Sequence, residues 1–230
     1  IEASQLSTPC LQQYASFVYN SSLGLQNGVA LVTGGTGGVG LLVAGWQGEH
    51  GCPQLRLLSR RGAIAADAST WDATCSTTSS VSIEPCNVAD KCALLCTLAT
   101  EHQGQRIHSA GVLADALLPN QTQSGMQKVW APKANTAWSI QVTAGSTDGT
   151  LVLFSSVSAL LGGPGQANYA AANSFLDSLA RLRQSHGLLS TSLQWGAWAG
   201  AGMAVDSGIL EQAEVQGLGI VLPVVGLSAL

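Results

Sequence analysis

Gly35-Thr36-Gly37-Gly38-Val39-Gly40 spells GxGxxG, preceded by Gly34. It follows the apolar run Val29-Ala30-Leu31-Val32 and opens a stretch where Val39, Leu42, Val43 and Trp46 recur at helical spacing. Glycines between a buried strand and a helix start let backbone N–H groups and the helix N-terminus face a pyrophosphate. In such folds a carboxylate at the end of the second strand holds the ribose of NAD. Here that place reads Ser59-Arg60-Arg61. With cations there and no carboxylate, Arg60 can pair with a 2′-phosphate, which favours NADP. Further on, Ser155-Ser156 ends the apolar run Leu151-Val152-Leu153-Phe154. Sites form at the carboxyl ends of strands in open α/β sheets. Tyr169 opens a long helical pattern, and Asn173 lies one turn along the same face.

These residues need a scaffold, and the pattern along the chain supplies one. The segments 29–32, 55–58, 81–83, 106–108, 151–154 and 192–195 read as strands, and 29–32 and 151–154 are unbroken apolar runs. Helical patterns follow at 39–50, 91–101 (with Asp90 as cap), 120–145 (where Pro132 starts or kinks a helix) and 166–183. The Ala/Ser/Thr-rich segment 62–80 fits no single element. Strands alternating with helices predict an α/β fold: a doubly wound, Rossmann-like parallel sheet with helices on both faces. Residues 1–28 read as a linker or peripheral tail, 29–205 as the NADP-binding catalytic domain, and 206–230 as a substrate-lid helix region. The chain opens on Ile1 and reads as a piece of a longer protein lacking a secretory leader.

Composition excludes several classes. Of 230 residues, 10% are charged, against roughly 25% in an average domain, so charge-driven disorder is excluded. Nine basic and thirteen acidic residues leave a net charge of -4, which argues against nucleic acid. The apolar stretch near 217–230 is broken by Pro223 and Ser228, so no membrane span is expected. The six cysteines form no CxxC pair and lack accompanying ligands. They read as small buried hydrophobes in a reducing compartment, with no metal site.

Taken together, the motifs resemble the short-chain dehydrogenase/reductase superfamily. Thr33-Gly34 and the glycines that follow fit TGxxxGxG, and His108-Ser109-Ala110-Gly111 fits the motif after the fourth strand. One departure narrows the family. The usual YxxxK reads Tyr169-Ala170-Ala171-Ala172-Asn173, while a lysine stands in Ala131-Pro132-Lys133. This exchange resembles the ketoreductase domains of polyketide and animal-type fatty acid synthases. So do Gly165-Gln166-Ala167-Asn168-Tyr169 and Trp195-Gly196-Ala197-Trp198 leading to Gly202-Met203.

The resemblance implies NADPH-dependent reduction of a β-ketoacyl thioester on the phosphopantetheine of an acyl carrier protein. It also implies neighbouring synthase domains and a cytoplasmic setting. Tyr169 is then the general acid, because a ketone reduced at carbon needs a proton at oxygen. A free phenol has a pKa near 10, and the Lys133 ammonium would lower it and reach the nicotinamide ribose. Ser156 would orient the carbonyl, and Asn173 would hold Lys133 or a relay water. The cofactor set is Gly34, Gly35, Thr36, Gly37, Gly38, Val39, Gly40, Ser59, Arg60, Asn87, Val88, Ser109, Ala110 and Gly111. Asn87-Val88 stands where the family commonly has Asp-Val for the adenine. Asp115, Gln166, Trp195 and Met203 are the substrate and stereocontrol candidates. Leu113-Ala114-Asp115 keeps only the final Asp of the family's Leu-Asp-Asp, and Leu161 stands where the opposite class has Trp, so a 3R alcohol is expected. The sheet is expected without its usual last edge strand, and without the cofactor-free half that precedes it in the family. Two other readings compete: a free-standing carbonyl reductase, and a catalytically silent NADP-binding domain.

Overall fold

The computed structural model describes residues 28–64, 68–99, 104–143, 149–201 and 219–230. Six strands form one parallel sheet in the order β3-β2-β1-β4-β5-β6. They are β1 (Val29–Thr33), β2 (Gln54–Ser59), β3 (Ser80–Pro85), β4 (Gly104–His108), β5 (Leu151–Ser156) and β6 (Ser190–Trp195). The order reverses between β1 and β4, which opens a crevice at the carboxyl ends of those two strands. This is the expected doubly wound sheet, and β6 is its edge beyond β5 among the described residues.

Alternation along each strand builds two cores. Leu31, Leu58, Leu94, Ile140, Leu153 and Leu176 pack on one face. There the sheet is covered by α3 (Lys91–Leu98), α5 (Thr136–Thr143) and α7 (Ala167–Ser185). Their neighbours Val32, Leu57, Ile107 and Phe154 pack on the other, with Leu41 and Val43 of α1 (Gly38–Glu49). Strands feeding both faces must be apolar throughout, which is why β1 and β5 read as unbroken hydrophobic runs.

The ambiguous segment holds α2 (Ala68–Thr77). Its small side chains suit close packing on α1: a Cβ added at Gly48 would lie 2.6 Å from Thr77 Oγ1 and would collide with Thr78 Oγ1 just past the helix end. Asp90 caps α3 as expected, accepting from the N–H groups of Cys92 and Ala93. The 120–145 pattern resolves into α4 (Gln123–Trp130), a π turn over Ala131–Asn135, and α5. Pro132 has no N–H to give an α turn, and the Thr136 N–H reaches back to the Ala131 carbonyl, five residues away. The proline therefore sits in a helix widened by one residue, where a helix start or a kink was expected. The described chain also holds a single 3-10 turn over Leu118–Asn120 and two short helices, α6 (Ser158–Leu161) and α8 (Pro223–Leu227).

Of the cysteines, Cys52 and Cys86 are buried, but Cys75, Cys92 and Cys96 are exposed and all five are free thiols. Cys10, most of the 1–28 tail, and residues 202–218, which take in Gly202, Met203 and the first part of the lid region, lie outside the described residues. Among the described residues no helix is long and apolar enough to cross a membrane, and no His/Cys/Asp/Glu group could hold a metal ion.

Candidate active site

The β1–α1 turn is shaped by contacts that exclude side chains. Gly34 has φ +71, and a Cβ there would lie 2.9 Å from Ala110 Cα. A Cβ on Gly40 would lie 2.3 Å from the Gly34 carbonyl oxygen. These glycines bring α1 and the β4 loop against the turn. Ser109 seals that approach: its Oγ donates to the Thr33 carbonyl at 2.7 Å and its N–H at 3.2 Å. The N-cap of α1, Gly37, offers no side chain, and no acidic residue sits in the first turn. The helix start is thus left to its backbone N–H groups, the condition for an anion site.

Around this turn lie the remaining candidates. Ser59 Oγ accepts from the Gly62 N–H at 3.0 Å, closing the turn that carries Arg60. Arg60 is exposed and in no ion pair among the described residues. Asn87 is exposed and accepts from the Ala89 N–H at 3.3 Å. Val88 is buried, and its carbonyl accepts from Thr136 Oγ1 at 2.8 Å. Gly111 faces the lysine: a Cβ there would lie 2.9 Å from Lys133 Cε. The turn glycines and β4 loop are therefore brought together, while Ser59, Arg60 and Asn87 lie on the open side of the crevice.

Lys133 sits on the π turn, only 3% exposed. Its Nζ donates to the Phe154 carbonyl at 2.9 Å and lies 5.1 Å from the centre of the Tyr169 ring. Burial pulls its pKa down to about 7, partly opposed by the Asp177 carboxylate. Tyr169 stands in the first turn of α7, half-buried, and burial raises its phenol above the ordinary value, where the lysine was expected to lower it. Lys133 therefore lies beside the ring, on the aromatic face. Asn173 is fully buried one turn along, and its Nδ2 donates to the Tyr169 carbonyl at 2.9 Å. Its Oδ1 is buried without a partner. Ser156 Oγ accepts from the Ser158 N–H at 3.1 Å, and Ser155 Oγ donates to the Asn173 carbonyl at 3.3 Å. The end of β5, the π turn and the start of α7 thus converge.

Two loops flank this convergence and are tied together. Gln166 Nε2 donates to Asp115 Oδ2 at 3.0 Å, and Asn168 Nδ2 to the Ala114 carbonyl at 2.7 Å. The Ala116 N–H donates to the Gly165 carbonyl at 2.9 Å. Asp115 and Gln166 are thus one unit. Asn168, present in the motif but given no role there, and Gln121, whose Nε2 donates to the Ala116 carbonyl at 2.8 Å and which no motif contains, are structural parts of it. Leu160 and Leu161 on α6 and Leu117 and Leu118 beyond Asp115 are exposed. Trp195 lies elsewhere: it packs edge-on against Phe154 and Trp198, at 5.5 and 4.9 Å, in the core on the α1 face.

The chain matches the model of the KR domain over residues 28–200. It is 42% identical over 184 residues to the polyketide synthase GfsA of Streptomyces halstedii, covering 77% of this chain and 2% of that protein. It is 40% identical over 190 residues to the chalcone synthase cfoA of Aspergillus candidus, covering 79% of this chain and 7% of that one. Among solved structures, an A1-type ketoreductase superposes with TM-score 0.81 at 38% identity, over 88% of this chain and 44% of its own. PlmKR1, the ketoreductase from the first module of phoslactomycin biosynthesis in Streptomyces sp. HK803, gives 0.79 at 33%, over 88% and 49%. The chain therefore spans a small fraction of the curated relatives it matches and about half of these solved structures.

Proposed function

The chain belongs to the KR-domain family, the ketoreductase domains of polyketide synthases, and from that premise we propose that it reduces a carrier-protein-bound β-ketoacyl thioester to the β-hydroxyacyl thioester with NADPH. The observation that carries this reading is the buried Lys133 beside Tyr169, approached from a different helix.

The residues fit the cofactor. The α1 start is free of side-chain caps, Gly34 and Gly40 keep the turn open to a close approach, and Arg60 is exposed and unpaired by any acid among the described residues. Gly35, Thr36, Gly37, Gly38 and Val39 would meet the pyrophosphate, Ser59 and Arg60 the 2′-phosphate, and Asn87 and Val88 the adenine. When bound, NADPH supplies the hydride.

The chain's own residues manage the proton. Tyr169, its phenol held neutral by burial, gives its proton to the substrate carbonyl oxygen. Ser156 donates a second hydrogen bond to that oxygen and fixes its direction. Lys133, with a pKa of about 7, is poised to return a proton to the phenolate. That Asn173 Oδ1 is buried and unpartnered supports a role for it as acceptor from a relay water or the lysine. Asp115 and Gln166 face the approaching acyl chain, and the 3R alcohol is the expected product. Trp195 acts on the substrate only through the packing of β5. The test is NADPH consumption with a small bicyclic ketone. Tyr169→Phe should cost about 10³- to 10⁴-fold in kcat while the fold and NADPH affinity persist. Undiminished turnover in that variant would remove the assignment.

A further inference from the structure

His108 is the most completely buried imidazole among the described residues, at 0% exposure, and the chemistry above gives it no task. Its Nδ1 lies 2.7 Å from Thr33 Oγ1, and its Nε2 lies 3.0 Å from the Lys133 carbonyl oxygen. A carbonyl can only accept, so Nε2 carries the proton and donates to Lys133. Nδ1 is then an acceptor and takes the Thr33 hydroxyl proton. Thr33 Oγ1 in turn lies 3.4 Å from the Ala110 N–H, which donates to it. Every polar atom in this chain of contacts is used, in one direction only.

The contact falls where the helix most needs it. The Lys133 carbonyl belongs to the π turn, where hydrogen bonding is shared irregularly: the Thr136 N–H reaches both Ala131 and Lys133. A turn of this kind has neighbouring α arrangements close in geometry. We propose that His108 is a positioning residue for the reaction, holding the Lys133 backbone so that its side chain stays between the Phe154 carbonyl and the Tyr169 ring, and that Thr33 fixes the imidazole tautomer this requires. The inference rests on Lys133 being catalytic. Burial and the nearby Lys133 charge push the His108 pKa down to about 3, so the imidazole stays neutral at working pH. Through Thr33 the residue also joins the lysine to the strand that leads into the glycine turn.

Two amides separate the two halves of this role. Glutamine places its amide nitrogen where Nε2 stands and can donate to Lys133. Asparagine reaches only as far as Nδ1 and can meet Thr33 alone. Turnover of the full chain with the bicyclic ketone should fall by about 10- to 100-fold in His108→Asn and His108→Phe, with the KM for NADPH changing less, as expected when a reacting group shifts by an ångström or so. His108→Gln should recover most of the loss. Thermal melting identifies any variant that fails to fold. Thr33→Val, which leaves the imidazole in place but removes its proton donor, gives a milder check and should lower kcat by a few-fold. Asparagine matching glutamine, or unchanged kcat in Thr33→Val and in a folded His108→Phe, would overturn the inference. Lys133→Met separates the two readings. If it is nearly inactive while the His108 and Thr33 variants keep full kcat, the inference alone falls. If it turns over normally, the reading of Lys133 falls with it.

Discussion

The half of the sheet from β1 to β3 and the half from β4 to β6 handle their functional residues in opposite ways. On the first side, Arg60 and Asn87 stand exposed on loops, and β3 is half-buried along its length. On the second, Lys133 and Asn173 are buried, and β5 is buried through Ser155. On the proposed reading a cofactor must enter and leave, so its contacts would lie where water reaches them. A proton relay works best where water is excluded and each group is hydrogen-bonded into place. Substitutions on the exposed side should therefore weaken binding separately, whereas those on the buried side should damage turnover together.

Lys133→Met is the strongest test of that contrast. It should lose about 10³-fold in kcat, because Tyr169 loses its proton partner. It should also raise the melting temperature, because methionine fills the site without the cost of burying an ammonium. The gain has a sign that pH can check. The lysine has a pKa of about 7 in the folded chain and roughly 10.4 unfolded. Between those values the unfolded chain holds the proton and the folded chain does not, so wild-type stability falls as pH drops from about 10 to about 7 and is flat below. The advantage of Lys133→Met over wild type should grow across that window. An advantage unchanged by pH would mean that the lysine keeps its ordinary pKa.

Asn173→Ala should cost less, about 10- to 100-fold in kcat, since it removes a positioning group and leaves the charge. Combined with Lys133→Met it should add little, and full additivity would separate the two residues into independent roles. On the open side, Arg60→Ala should raise the KM for NADPH by about tenfold, one lost charge-assisted contact, and leave kcat and the NADH constant nearly unchanged. Equal KM values for NADH and NADPH in the wild type would remove the basis for that assignment. The smallest effect belongs to β3, where Arg56 grips Glu84 through two hydrogen bonds, at 2.6 and 2.7 Å. Glu84→Gln should cost about 1 kcal/mol or less in denaturant unfolding, because the pair is partly open to solvent.

The same contrast explains what could be read from the residues alone. β1 and β5, buried on both faces, announce themselves as apolar runs, and all six strands fall where Val29–Val32, Leu55–Leu58 and their counterparts placed them. The glycine turn, Tyr169, Ser156 and Lys133 were legible as motifs. α2 was not, because its Ala, Ser and Thr side chains fit any element until Gly45 and Gly48 of α1 are seen opposite them. The link from Thr33 through His108 to Lys133 joins residues 75 and 25 positions apart and follows no local spacing. The histidine in His108-Ser109-Ala110-Gly111 was in view, but its partners exist only once β4 lies beside β1. Trp195, singled out with the substrate residues, faces the α1 core because alternation along β6 turns it there.

The π turn also changes how this helix is aligned with others. One added residue turns an α-helix by roughly 100°, enough to carry every later side chain onto a different face. Here the surplus is confined to Ala131–Asn135, so Val129 before it and Ala137 and Ile140 after it all point inward. The segment behaves like a line of text with one letter inserted and the frame restored at once. Set against a chain with a plain α turn, it would show a one-residue gap inside a helix, where gaps are usually taken for errors. That gap would mark the place where the lysine is presented to the tyrosine.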